Sequence, residues 1–177
     1  GDPEIGQVKA TRGKVHDYLG MILDHSVKGE VKVDMRRYVK GMFDEFPMDF
    51  DPGETAANPA TEDLFKVDDS KKLDLEKADA FHSTVAKGLF VGKRSRLDIL
   101  PTIAVLCTRV KEPNQTDWNK LVRLMKCLNG TREFVLTICP DNLHIIKWFV
   151  DVAFAVHPDF KSHTGMVMSM GKGAMQS

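Results

Sequence analysis

One acidic residue lies where a charge is costly to bury. Asp151 is in the middle of the apolar run Trp148-Phe149-Val150-Asp151-Val152-Ala153-Phe154, which we predict to be a strand. An ionised carboxylate among apolar neighbours loses its hydration, and it is tolerated when it is paired with a cation or bound to a metal ion. Asp151 is therefore the strongest candidate for chemistry in this chain.

The charges of the chain are divided between two segments. Residues 49–79 carry ten acidic residues against four Lys, about −6, whereas residues 93–132 carry nine basic residues against three acidic ones, about +6. A basic face binds a polyanion by displacing the counterions condensed on its phosphates. The alternative is that these charges are ordinary solvated helix faces, and the sequence leaves both open. The basic residues that we expect to contact nucleic acid are Lys93, Arg94, Arg96, Arg123 and Lys126.

Cysteines and histidines give weaker signals. The three cysteines share no two-residue spacing, which argues against a zinc ribbon and a disulfide framework and favours a reducing compartment. Their neighbours are mostly apolar, so we expect small core residues rather than nucleophiles. His157, Asp159 and His163 lie in a predicted turn without helical spacing, and solvated turn residues are favoured over a metal site.

Periodicity predicts the elements that hold these residues. The segments 15–26 and 31–33 predict a β-hairpin around a turn at 27–30, and a helix over 35–46 begins after Asp34 as its cap. Acidic, proline-containing sequence then predicts a linker or a wrapped loop. Three further helices, the last capped by Thr116 and closed by Asn129-Gly130, precede three strands. The predicted ranges of these helices and strands are 75–94, 97–110, 116–128, 134–138, 143–156 and 164–170.

Composition excludes some classes of protein. The chain is 42% hydrophobic and 28% charged, which is ordinary for a globular protein, and no apolar run reaches the roughly 20 residues of a membrane span. It opens with Gly1-Asp2-Pro3-Glu4, neither an initiator methionine nor a signal peptide, so we expect a piece of a longer protein. The last hairpin has no partner layer, which predicts a severed domain.

Four blocks in order resemble the Pol polyprotein of copia-type retrotransposons. They are VHDYLGMILD, FHSTVAKGLFVGKRSRLDI, LVRLMKCLNGT and WFVDVAFAVHPDFKSHTGMVMSMGKGA. The corresponding family strings are approximately a YFLG hairpin, a VGSLLYLxxTRPDI helix pair, a LRYLKGT helix end and a YSDADWAGDPDxRxSTSGYxxxLGxGxISW hairpin. Four such blocks in this order, with matching gaps, are hard to obtain by chance.

The resemblance implies roles for two of the blocks. Tyr18, Leu19, Gly20 and Met21 resemble the reverse transcriptase hairpin that grips the primer terminus, where glycine brings the backbone close to a nucleic-acid strand. The segment 93–99 is similar to the TRPDI turn between connection helices, with Leu97 in place of proline. Arg96 would there be free for a phosphate or an intramolecular pair, and Asp98 would act on the helix dipole.

The last block implies nuclease chemistry. Asp151 resembles the first catalytic carboxylate of ribonuclease H, which uses a carboxylate cluster to hold two Mg²⁺ or Mn²⁺ ions for phosphodiester cleavage. Val152 and Phe154 depart from the DADW string of the family but leave Asp151 intact. The other ribonuclease H carboxylates would follow Ser177, and the paired polymerase aspartates would precede Gly1. We therefore expect no bound metal and no activity from the isolated chain, although the parent would be an RNA-directed DNA polymerase and ribonuclease H.

These expectations describe an α+β fragment that handles an RNA/DNA template-primer together with the rest of Pol. It would work in the cytoplasm inside a virus-like particle, or in the nucleus, without membrane contact. The alternative is a non-enzymatic module that binds nucleic acid or protein through the basic helices of 93–132. The predicted parts are a reverse transcriptase end with hairpin and thumb-like helix (1–47), an acidic linker (48–72), a helical connection region (73–140) and the first strands of a truncated ribonuclease H-like sheet (141–177).

Overall fold

The structure, a computed structural model, describes residues 12–153 and 163–176. Strands at both ends of this range surround a helical middle, so the predicted α+β class is confirmed at this level. Two short 3₁₀ turns, Glu62–Phe65 and Leu97–Ile99, accompany the main elements. Those elements, in chain order, are β1 (Val15–Tyr18), β2 (Met21–Asp24), β3 (Val31–Asp34), α1 (Arg36–Asp44), α2 (Leu75–Gly92), α3 (Leu100–Cys107), α4 (Gln115–Gly130), β4 (Leu136–Pro140), β5 (Lys147–Ala153), β6 (His163–Ser169) and β7 (Gly171–Lys172).

The main sheet is antiparallel, in the order β1-β2-β3-β4-β7. The predicted turn at 27–30 joins β2 to β3. The segment 15–26, predicted as one arm of a hairpin, is instead two strands, because Leu19 and Gly20 both take positive φ and reverse the chain between them. β4 pairs with β3 through Val31 and Ile138, which joins strands far apart in the sequence.

Four helices share the hydrophobic core. Apolar side chains at three- and four-residue spacing on α1, α2, α3 and α4 are buried together. Helix α1 and helices α2 to α4, predicted as parts of different regions of a polyprotein, therefore pack into one core. Its least exposed members are Phe81, Met35, Met42, Ile99, Ile103, Leu106, Leu121, Leu124, Met125, Leu128, Val85 and Val91.

Two glycines let α2 and α3 approach closely. A Cβ built on Gly88 would lie 2.5 Å from Ile103 Cδ1, and one on Gly92 would lie 3.0 Å from Leu100 Cδ2. Glycine lowers helix propensity by about 1 kcal/mol relative to alanine. The close contact between α2 and α3 therefore accounts for these two glycines in the middle and at the end of a helix.

The ends of the helices differ from the prediction. The N-cap position of α1 is Met35, one residue after the predicted cap. The Asp34 carboxylate nevertheless accepts from the backbone N–H of Arg36, the first residue of α1, as predicted for the start of the helix, and also from its guanidinium. Thr116 does not cap α4, since Asn114 does so in a reciprocal capping box with Asp117. The Asn114 side chain accepts from the Asp117 N–H and the Asp117 carboxylate accepts from the Asn114 N–H, so the pair satisfies two free amides at the start of the helix.

The acidic segment lies along α4. Asn129 Nδ2 donates to the carbonyl oxygens of Asp51 at 2.8 Å and Glu54 at 3.1 Å, and Lys126 Nζ lies 3.0 Å from Glu54 Oε1. Further along, Lys120 Nζ donates to the carbonyl oxygen of Lys66 at 2.6 Å. Of the two alternatives predicted for this sequence, these contacts favour a wrapped loop.

Asp68 links the acidic segment to the start of α4 through hydrogen bonds. Thr116 Oγ1 donates to Asp68 Oδ2 at 2.7 Å, and Asn114 Nδ2 donates to its carbonyl oxygen at 2.8 Å. Hydrogen bonds from Thr116, then Ser70, lower the pKa of the Asp68 carboxyl from 3.8 to about 2. Because the folded pKa is depressed, the stabilisation is present above pH 3.8 and is lost as the pH falls through about 2.

We therefore expect Asp68→Asn to be less stable than the unmodified chain at pH 7, with a difference that stays constant to about pH 5 and closes between about pH 4 and pH 2. Urea unfolding across that pH range measures it. Asp69→Asn, at an exposed neighbouring position, removes the same charge and is expected to leave stability unchanged. A difference between Asp68→Asn and the unmodified chain that widened on acidification would contradict this assignment.

The last two long strands form a sheet of their own. β5 and β6 pair antiparallel from Lys147 with Ser169 to Ala153 with His163, and β7 returns to β4. The predicted strand 143–156 is shorter at its start because residues 143–144 form a turn. In the part of the chain that the structure describes, none of the helices has the length and apolar character of a membrane span.

Candidate nucleic-acid interface

The tip of the β1–β2 hairpin is a tight, rigid turn. Leu19 has φ +51° and Gly20 has φ +76°, the sign pattern of a type I′ turn, whose twist matches that of the flanking strands. Leucine adopts this left-handed conformation rarely, at a cost of roughly 1 kcal/mol. Tyr18 and Leu19 are 57% and 59% exposed, while Met21 packs against the core. The turn therefore holds two large side chains in solvent.

An aromatic stack supports this tip from below. A Cβ on Gly20 would lie 3.4 Å from Tyr38 Cδ2, so the turn lies directly against the tyrosine ring. Tyr38 stacks on Phe90 with ring centroids 5.0 Å apart, and the guanidinium of Arg94 lies 3.6 Å from the centroid of Phe90. The hairpin tip, α1 and the end of α2 are therefore in continuous contact through these residues. Lys93, the residue before Arg94, is exposed.

An ion pair ties the edge strand to α1. Arg37 Nη2 lies 2.6 Å from Asp17 Oδ2, and both side chains are mostly exposed. Exposed pairs contribute about 0–1 kcal/mol, so this pair orients the hairpin more than it stabilises it. We define the hairpin surface as Tyr18, Leu19, Gly20, Tyr38, Phe90 and Arg94.

Arg96, expected to be free for nucleic acid, is buried. It is 3% exposed, and its guanidinium donates to Asp98 Oδ1 at 2.9 Å, Asp98 Oδ2 at 2.7 Å and Thr131 Oγ1 at 2.7 Å. Every guanidinium nitrogen is occupied, because Nη1 donates to the carbonyl oxygen of Thr131. The intramolecular pair is therefore the alternative that the geometry favours. Asp98 accepts two hydrogen bonds from the Arg96 guanidinium.

Part of the basic stretch is paired within the chain, since Arg96, Arg109 and Lys126 form ion pairs. Lys126 pairs with Glu54, and its hydrogen bond lowers the pKa of the Glu54 carboxyl. Arg109 pairs with buried Asp117 at 3.0 Å, and Arg132 lies over Phe43. Arg123 Nε is buried without a hydrogen-bond partner among the described residues. A phosphate approaching α4 would have to replace these internal partners, which lowers the contribution of α4 to a basic face.

Asp151 lies in a strand, as predicted, but it is exposed rather than buried. Its neighbours Val150 and Val152 are each 61% exposed, because no second layer covers β5 among the described residues. Desolvation therefore does not force Asp151 to bind a metal or a cation. Within residues 12–153 and 163–176, no three acidic, histidine or cysteine side chains form a metal site. The described residues do not fit a two-metal centre.

Among the weaker candidates, the two cysteines with shifted pKa values show no sign of reactivity. Burial raises the pKa of the Cys107 and Cys127 thiols, the opposite of what a nucleophilic cysteine needs. His157 and Asp159 lie outside the described residues, and the backbone of His163 begins β6. The sequence did not identify Tyr38 and Phe90 as parts of the hairpin surface, although both lie in predicted helices. No local pattern indicates that these two helices contact each other at this point.

No family model, curated protein or solved structure matches this chain. Its fold and surface define it as an α+β protein that presents an exposed hairpin tip beside an aromatic and cationic helix end. Its function is therefore inferred from the order of its own motifs and from the contacts of the hairpin surface.

Proposed function

We propose that this chain is part of a copia-type retrotransposon Pol polyprotein, from the end of the reverse transcriptase through the connection region into the start of ribonuclease H. Its role is to hold an RNA/DNA template-primer through the hairpin surface. The order of the four sequence blocks supports this assignment, as does a β-meander followed directly by an amphipathic helix. The remainder of Pol would be its partner, in a cytoplasmic virus-like particle or in the nucleus.

The geometry of the hairpin tip carries the proposal. Base and sugar rings bind to exposed aromatic side chains without sequence preference, because every base has a π-face. The type I′ turn presents Tyr18 and Leu19 on a rigid backbone, so little conformational entropy is lost when a strand binds. Arg94 on Phe90 adds a positive charge for the backbone of that strand.

The same proposal covers the final strands. β5 and β6 would be the opening antiparallel pair of a ribonuclease H-like sheet, and Asp151 has the mid-strand position of the first carboxylate in that family. Divalent Mg²⁺ or Mn²⁺ would serve a carboxylate cluster that the described residues do not supply. No catalytic step is assigned to this chain, whose proposed work is to bind and position nucleic acid.

We expect Tyr18→Ala to weaken binding of a labelled RNA/DNA hybrid with a recessed DNA 3′ end by about tenfold, because one aromatic stacking contact contributes about 1–3 kcal/mol. Fluorescence anisotropy at low and moderate salt measures the dissociation constant. Tyr18→Phe keeps the ring and is expected to bind as the unmodified chain does. Leu75→Ala removes an exposed leucine from the start of α2 and is the control for lost apolar surface.

The same titrations separate the proposal from a binding module built on the basic helices. If Arg123→Ala combined with Lys126→Ala weakens binding while Tyr18→Ala does not, the basic helices are the interface and the hairpin proposal fails. If the chain binds no hybrid even at low salt, both functions are refuted. Steep salt dependence by itself is compatible with either, since it reports phosphate neutralisation.

A further inference from the structure

The β5–β6 hairpin exposes apolar side chains on both of its faces. Phe149 and Val150 are each 61% exposed, on opposite faces of β5. A lone two-stranded sheet is marginally stable in water. A long apolar edge strand is also a template for pairing with another chain, because its outer N–H and C=O groups have no ladder partner. The hairpin therefore has a strand edge that association with another chain would cover.

The outer edge of β5 is available for such pairing. β6 occupies one edge of β5, and among the described residues no strand pairs with the other. Lys147 and Asp151 lie on the same face of β5, with Phe149 midway between them. No cation pairs with Asp151 in the described part of the chain, whereas Lys147 has an exposed pair with Asp141 at 3.0 Å, of a kind that contributes about 0–1 kcal/mol.

The sequence of β5 is complementary to itself in one antiparallel register. A twofold axis at Phe149 puts Lys147 opposite Asp151 of the second copy, and Asp151 opposite Lys147. The same axis puts Trp148 opposite Val150 and Phe149 opposite its own copy. Moving the axis by one residue in either direction puts both charges opposite apolar side chains. Opposite charges and aromatic pairs across strands are favourable, each by roughly 0.2–1 kcal/mol.

We propose that two copies of this chain associate by antiparallel pairing of β5 with β5 around Phe149. The product is a four-stranded sheet in the order β6-β5-β5-β6, which covers the edge and joins the apolar faces of both hairpins. Such an isologous contact uses the same residues twice and closes at two copies. The partner is thus a second molecule of this chain, recognised by paired charges at either end of a three-residue apolar centre.

Sedimentation equilibrium of the 177-residue chain tests this proposal. We expect a concentration-dependent dimer. Lys147→Asp puts two like-charged pairs across the interface and is expected to weaken the dimer by about tenfold or more. Asp151→Lys should do the same, whereas the double variant with both changes restores the two opposite-charge pairs and the dimer. Lys111→Asp changes an exposed turn lysine by the same charge and should leave association unchanged.

A second measurement fixes the register. Phe149→Cys should form a disulfide between two copies under mild oxidation, identified by mass spectrometry as a 149 to 149 link, whereas Thr164→Cys on β6 should not. The proposal is overturned if the chain remains monomeric at high concentration. It is also overturned if the double charge exchange fails to restore what Lys147→Asp removes, or if Thr164→Cys crosslinks in place of Phe149→Cys.

Discussion

Replacing Trp118 by alanine is expected to lower the free energy of unfolding by about 3–5 kcal/mol, one of the two largest effects expected for a single change in this chain. The indole is 3% exposed. Its ring lies nearly parallel to that of Phe46, with centroids 5.3 Å apart, and Lys77 Nζ lies 4.7 Å from its centroid. The substitution therefore removes contacts between α4, the end of α1 and the start of α2, and it leaves a cavity among them.

Urea unfolding followed by circular dichroism measures this loss, since helices dominate the signal and the change does not depend on tryptophan fluorescence. Trp118→Phe keeps a ring that stacks on Phe46 and is expected to lose less than half as much. Leu75→Ala, at a residue that is almost fully exposed, should have nearly no effect. A loss below about 1 kcal/mol in Trp118→Ala would mean that the ring is not part of the shared core.

The helical part of the fold could be predicted because its signal is local. In α4, Leu121, Met125 and Leu128 recur at helical spacing in the sequence, and all three are buried. A stripe with a period of three to four residues fixes which side of a helix is covered. The stripe does not determine which other element covers that side of the helix. The stacking of Trp118 on Phe46, for example, joins residues that no local pattern relates.

Burial of β5 could not be predicted in the same way. Apolar residues on both faces of a strand indicate a strand that two layers cover, and this reasoning led to a buried Asp151. The strand exists, but its exposure depends on whether covering layers are present, which is a property of the assembly and not of residues 147–153 themselves. The chemistry inferred from desolvation failed at that step, while the strand assignment held.

The contacts between the acidic and basic segments could not be predicted, for a related reason. Composition gave their charges correctly, but the contact between them is long-range: Glu54 meets Lys126, and the backbone of Lys66 meets Lys120. Opposite charges in two segments predict attraction without saying whether the partner is a nucleic acid or the same chain. Here the chain itself provides partners for Lys120 and Lys126 of α4, and the hairpin surface becomes the better candidate interface.

Arg96 is the clearest case of a residue whose type suggested nucleic-acid binding, whereas its contacts in the structure favour a role in stability. Its planar guanidinium bonds both carboxylate oxygens of Asp98 and both oxygens of Thr131, so it fastens the α2–α3 turn to the residue that follows α4. Phe134 lies 5.3 Å from the guanidinium carbon. A lysine ammonium is a point charge and does not match this fork of acceptors.

We expect Arg96→Ala to lower the free energy of unfolding by about 2–3 kcal/mol, less than the 3–5 kcal/mol of a fully buried pair because Asp98 is half exposed and regains water. Arg96→Lys should recover part of that loss, and Arg94→Ala, which removes a half-buried arginine two residues away, should lose about 1 kcal/mol or less. Urea unfolding measures the free energies of unfolding. Titration with the RNA/DNA hybrid, at a temperature where all three variants are folded, measures the dissociation constants. If Arg96 stabilises the fold, Arg96→Ala is less stable but binds the hybrid with unchanged affinity. If Arg96→Ala is stable and binds the hybrid more weakly, Arg96 is part of the interface.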